Sequence, residues 1–158
     1  MKIEKQVIVN KSIEDAWEVL RNFANADVWA SPLIHSEGKG DSFNGCECSE
    51  RICDIKGMGR SREKLIQFSH DKHSLSYVVE EGMPKMVRNA TNTWWLTSLE
   101  QNKTELNMKM EFTMSGLMGM IMQPIMKMMM SKMGKTILAD FKYYVENGRP
   151  SEAKLKNK

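Results

Sequence analysis

Residues 114–135 read MSGLMGMIMQPIMKMMMSKMGK, and nine of the chain's 15 methionines fall between Met114 and Met133. Such a run fits a soft-metal site, a membrane span, a pocket wall or plain core. Stepping round a helix at about 100° per residue decides among them. Met118, Met122, Met126, Met129, Met133, Ile137, Phe141 and Tyr144 fall on one face, with Gln123, Lys127, Ser131, Lys135, Lys142 and Glu146 opposite. The spacing predicts a long amphipathic helix, stopped by Gly148 and Pro150. Pro124 suits its first turn, where a missing N–H costs nothing, and 115–122 then forms a separate glycine-bearing segment. Gln123, Pro124 and Lys127 break the run well short of the ~20 apolar residues of a spanning helix, so no stable membrane insertion is expected. Met118, Met120 and Met122 spell MxMxM, a spacing suited to Cu(I) in extended chains. On a helix the three point apart, and no metal is expected.

Upstream the period changes. Residues 2–10 set Ile3, Lys5, Val7 and Val9 against Lys2, Glu4, Gln6 and Ile8, the alternation of a strand. Ser12 and Asp15 resemble a capping box ahead of Ile13, Ala16, Trp17 and Leu20, which predicts a helix over 12–21. A second short helical piece over 24–29 ends at Ser31-Pro32, because the residue before proline is pushed out of the helical region. From Leu33 to Met114 glycine, asparagine and proline turns separate six strands, at 34–38, 45–55, 60–68, 74–81, 86–99 and 104–114. Neighbours on a strand face opposite ways, so Trp94 and Trp95 must lie on different sides of the sheet. Met108, Met110 and Phe112 should face the helix, because the other phase would bury Lys109 and Glu111.

A length of 158 residues fits one domain, 1–148, followed by a tail over 149–158 expected to be disordered. A net charge of +3, partly owed to the tail, comes without a basic stripe interleaved with aromatics, so no nucleic-acid partner is expected. The alternating N-terminus MKIEKQVIVN lacks the apolar centre of a signal peptide, and a cytoplasmic location is expected. Cys46, Cys48 and Cys53 make an odd set unsuited to a disulfide framework. Cys46 and Cys48 with His70 and His73 spell CxC and HxxH, which lacks the usual zinc spacing, so small buried or half-buried strand residues are expected. The chain also has no phosphate-cradling glycine loop, CxxC or HExxH, and no cofactor is expected.

An antiparallel meander with one apolar face needs a cover, and the only long helix comes last, so the fold class is α+β, a curved sheet of about seven strands wrapped around a C-terminal helix. A curved sheet cannot close on a helix along its whole length, which predicts a cavity between them. The chain resembles the SRPBCC, or START-like, helix-grip superfamily: polyketide cyclase/dehydrase-like proteins, the birch-pollen-allergen (Bet v 1-like) fold, plant abscisic acid receptors and START lipid-transfer domains. The resemblance is carried by NKSIEDAWEVLRNFANADVWASP, GCECSERIC, REKLIQF and FKYYVENG, and covers residues 1–148. The receptor-type Ser-Gly-Leu-Pro gate is replaced by Lys56-Gly-Met-Gly59, which removes support for a hormone-receptor role but leaves a mobile loop there.

The resemblance implies an inward set of His35, Glu63, Tyr77, Val79, Asn89, Thr91, Thr93 and Trp95. Met118, Met122, Met126, Met129 and Met133 would line the helix side, with Met108 and Met110 across from them. Methionine packs adaptably against irregular apolar shapes, which suits a hydrophobic small molecule or lipid as the partner. Binding or transport is the expected function, with His35, Glu63, Tyr77 and Asn89 fixing the ligand's polar end and loops 56–59 and 82–85 controlling access. The alternatives are an aromatase/cyclase-type enzyme with His35 or Glu63 as general acid or base, and a ligand-free interaction module like the superfamily's chaperone activators and ribosome-associated members. Arg51 is expected to support its strand or face solvent.

Overall fold

The computed structural model describes residues 1–157. β1 (Lys2–Val9) leads into α1 (Ile13–Leu20), whose Ser12 side chain accepts from the Asp15 N–H at 3.1 Å. A 3-10 helix (Phe23–Val28) then carries the chain to β2 (Leu33–Lys39), β3 (Glu50–Ile55), β4 (Gly59–Ser69), β5 (Ser74–Glu81), β6 (Val87–Glu100) and β7 (Lys103–Met114). Every pairing is antiparallel, and the seven strands run in the order β1-β7-β6-β5-β4-β3-β2. The first strand and the first strand after the short helices are thus the two edges. α2 (Gly116–Asn147) lies against β1 and β7, and Gly148 closes it at φ 67° with its N–H on the Tyr144 carbonyl. No helix among the described residues is long and apolar enough to cross a membrane.

α2 differs from the expected helix in two respects. It is one continuous helix from Gly116, with Pro124 well inside it, so the Met120 carbonyl loses its intrahelical donor. Its buried face is also rotated. Gly119, Met126, Met130, Gly134, Leu138, Phe141 and Val145 face inward, whereas Met118 is 60% and Met129 48% exposed. The glycines explain the rotation. A Cβ on Gly134 would stand 2.5 Å from the Met108 methyl and 2.9 Å from that of Met110, so the sheet's methionines fill the space a helix side chain would occupy. Counting apolar side chains misses a contact made by having none.

Cys46 and Cys48 are buried as expected, but in irregular chain ahead of β3 rather than within it. The expected disordered tail instead folds back. α3 (Glu152–Leu155) buries Lys154, which donates to the Leu33 carbonyl, while Ser151 donates to Asp140 at 2.8 Å and Asn157 to the Ser31 carbonyl at 3.1 Å. Asp140 in turn accepts the Ser31 N–H at 2.8 Å. A run of Glu and Lys gave no apolar signal for this docking, because its content is polar and buried. Lys158, the end of that expected tail, lies outside the described residues.

Candidate functional site

A cavity of about 140 Å³ lies between the concave face of the sheet and α2. Its apolar wall includes Phe23, Trp29, Trp94, Phe112, Met110, Met130, Met133 and Ile137, and Met58 and Met83 reach it from the β3–β4 and β5–β6 connections. The polar wall is one cluster. A hairpin folded about Gly57 sets Arg51 on β3 directly opposite Glu63 on β4, both pointing inward with side chains 8% exposed. Arg51 Nε donates to Glu63 Oε2 at 2.9 Å, Nη2 donates to the same oxygen, and Nη1 reaches the Phe23 carbonyl at 2.8 Å. The guanidinium also lies 4.2 Å from the Phe23 ring centre and 5.3 Å from that of Tyr77, a cation over two neighbouring aromatic rings.

Burial pulls against the charge of Arg51, but the Glu63 carboxylate outweighs it and holds the guanidinium above its ordinary range. Burial, reinforced by Glu63, pushes the Tyr77 phenol well above its ordinary value. Burial likewise pushes the Cys53 thiol up to about 12 against the opposing pull of Arg51. Tyr77 and Cys53 are therefore neutral at pH 7. Asn92 donates to the Tyr77 hydroxyl at 3.0 Å, which leaves Asn92 Oδ1 buried with no partner among the described residues. Ser61 Oγ is in the same position, and both residues line the cavity.

Glu63, Tyr77, Val79, Met110 and Met133 line the cavity, as the sequence reading places them, and Thr91 borders it although its neighbours Ala90 and Asn92 hold the inward phase. Others do not. His35 stands on the outer face, its side chain 58% exposed and 3.8 Å from Asp27, because a register shift between Leu33 and His35 turns Ile34 and His35 outward in succession and returns Ser36 inward. A second irregularity between Arg88 and Thr91 puts Asn89 outside at φ 51° and turns Ala90, Asn92 and Trp94 inward, so Thr93 and Trp95 fall outside the lining. Met126 is buried beyond the cavity with Ile3, Val87 and Phe112, Met122 is half-buried away from it, and Met129 faces out.

Arg51, Ser61, Asn92 and Met130 are among the lining residues that the sequence reading left out of the site. A signal for Arg51 was present: the Lys56-Gly-Met-Gly59 turn places opposite charges at paired, same-face positions. Asn92 had none, since its phase depends on the irregularity three residues before it.

The model of the family described as polyketide cyclase/dehydrase and lipid transport matches residues 1–146. No curated protein matches the chain. Among solved structures, the protein XoxI from Bacillus cereus is similar at 14% identity with a TM-score of 0.77, over 92% of this chain and 96% of that one. A START superfamily protein from Mycobacterium smegmatis is similar at 13% identity and 0.75, over 92% and 97%. The di-domain ARO/CYC BexL from the BE-7585A biosynthetic pathway is similar at 12% identity and 0.76, over 92% of this chain and 46% of that one. At these identities the likeness is one of fold.

Proposed function

The chain belongs to the polyketide cyclase/dehydrase and lipid-transport family, and from that premise we propose that it binds a hydrophobic small molecule or lipid between the sheet and α2. The observation that carries this reading is the pair of buried, unpartnered polar atoms, Ser61 Oγ and Asn92 Oδ1, in the wall of an otherwise apolar cavity. An orphaned buried polar atom costs about 1–3 kcal/mol, and a ligand hydroxyl or carbonyl would recover that cost. The ligand's polar end sits against Ser61, Asn92 and the Arg51–Glu63 pair, and its apolar body against Met110, Met130 and Met133.

At about 140 Å³ the cavity is the size of the ~150 Å³ voids that take one benzene-like ring. A larger ligand is admitted by rotation of the surrounding methionines, whose unbranched chains repack at low cost. Met58 and Met83 sit on the two connections that control access. A second reading, an aromatase/cyclase-type activity, is favoured by the buried Arg51–Glu63 pair beside the Tyr77 phenol, which would take the acid–base roles from the outward His35.

The test is native mass spectrometry of the purified protein, followed by denaturing extraction and identification of the released compound. A stoichiometric hydrophobic adduct, absent from Ala90→Phe, is the expected result. An adduct retained by Ala90→Phe, which narrows the cavity from β6, would place the binding site elsewhere. Turnover of the identified compound decides between carrier and cyclase.

A further inference from the structure

α2 is apolar on both faces over its first half. Inward lie Gly119, Met126 and Met130; outward, Leu117 is 72%, Ile121 59%, Ile125 44% and Met128 67% exposed. These four follow one another at helical spacing up the solvent side, flanked by Met118, Met120 and Met129, which are also exposed. A helix with two apolar faces has two partners, and the sheet is only one of them.

The charge around this stripe identifies the other. No acidic residue occurs between Glu111 and Asp140, while Lys127, Lys132 and Lys135 are all exposed in that interval, with Lys132 and Lys135 continuing the stripe towards the C-terminus. Lys135 lines a shallow groove between β1 and α2 together with Lys5 and Lys142, and the one carboxylate there, Glu146, is taken by Lys142 at 3.2 Å and by Asn10. At the other end, Ser115 ties the start of α2 to the Met86 carbonyl at 2.8 Å, which brings the exposed Lys85 and Arg88 alongside. Glu81, at the end of β5, is paired with Arg62 at 3.3 Å, and Glu111, near the end of β7, with Lys109 at 2.9 Å.

We propose that the outer face of α2, from Leu117 to Lys135, docks on the surface of an anionic phospholipid bilayer. Leu117, Ile121, Ile125 and Met128 enter the acyl boundary, and the lysines extend their stems along the helix to reach the headgroups. A second copy of this chain is the competing occupant, and it would set these lysines against one another. The Met120 carbonyl freed by Pro124 lies on an exposed residue, where a headgroup or interfacial water satisfies it. Docking here places Met58, Met83 and the cavity mouth at the same end of the molecule as the bilayer, since Met58, Met83 and Met114 pack with Met126 and Met130 in one cluster.

Cosedimentation of the full chain with phosphatidylcholine vesicles, with and without phosphatidylglycerol, tests this. Binding to the phosphatidylglycerol vesicles alone, released by high salt, is expected. Each lysine near an anionic surface is worth roughly fivefold in affinity, so Lys132→Glu/Lys135→Glu should bind at least about 25-fold more weakly. Ile121→Glu/Met128→Glu should abolish binding, while Ala90→Phe should bind as the native chain does, separating this surface from the cavity. All four positions of the surface variants are exposed, and an unchanged circular dichroism spectrum and melting temperature will confirm their fold. The proposal is overturned if the native chain ignores the anionic vesicles, or if both surface variants bind as it does. It is also overturned if the native chain is a dimer that Met128→Glu dissociates and that does not bind vesicles.

Discussion

Replacing Glu63 by glutamine keeps the side chain's size and removes its charge, which strands Arg51 in a site where both side chains are 8% exposed. Breaking a buried ion pair by neutralising one member costs about 3–5 kcal/mol, because the surviving charge keeps its desolvation penalty without its partner. For a domain of this length each kcal/mol lowers the melting temperature by about 2–4 °C, so Glu63→Gln should melt roughly 6–20 °C below the native chain. The double variant Arg51→Met/Glu63→Leu behaves differently. It removes both desolvation penalties, a gain of about 1–4 kcal/mol, and orphans the Phe23 carbonyl that Arg51 now serves, a loss of about 1–3 kcal/mol. The double variant should thus lie between about 2 kcal/mol below and about 3 kcal/mol above the native chain, and above Glu63→Gln. Urea denaturation of ligand-stripped protein, followed by tryptophan fluorescence, measures both. A cost below about 1 kcal/mol for Glu63→Gln would refute the reasoning, since it would mean the pair is hydrated within the cavity. So would a double variant less stable than the single one.

Two further predictions follow from buried groups. The Cys53 thiol stays protonated in the fold to about 12 but only to 9.0 in the unfolded chain, so its contribution is complete below pH 9.0 and is lost as pH rises towards 12. Between those limits native stability should fall by about 1.4 kcal/mol per pH unit more steeply than that of Cys53→Ala, and parallel urea midpoints for the two from pH 8 to 11 would contradict the assignment. Removing residues 151–158 deletes the hydrogen bonds from Ser151, Lys154 and Asn157 to Asp140, Leu33 and Ser31, at about 0.5–1.5 kcal/mol each. The truncated chain should lose about 2–4 kcal/mol in the same denaturation assay, and an unchanged midpoint would show the tail to be ornamental.

The meander and its helices were legible because their signals are local: alternation in 2–10 and 104–114, turn residues between the other strands, a capping serine at 12, a helical repeat after Met114 closed by Gly148. The inward phase of Met108 and Phe112 followed from the cost of burying Lys109 and Glu111, and both are buried. The site was less legible because phase is fragile. One irregularity before His35 and another before Ala90 each turn the following residues over, and neither leaves a glycine or proline to mark it. Met129 and Met130 were equally apolar choices for the buried face of α2, and the tie was broken by Gly119 and Gly134, residues that register in no hydrophobic pattern.

The order of the strands has a consequence for synthesis. β2 to β6 pair with their neighbours in sequence, so that part of the sheet can assemble as it leaves the ribosome. β1 cannot join it. Its partner across the register runs from Glu111 back to Thr104, and the helix that covers the concave face follows later still. Until β7 and α2 have emerged, the nascent chain presents an unroofed apolar face and an unpaired first strand, and the seating of Lys154 on Leu33 at the opposite edge comes later again. The burden on chaperones therefore falls in the interval between the synthesis of β6 and the completion of α2.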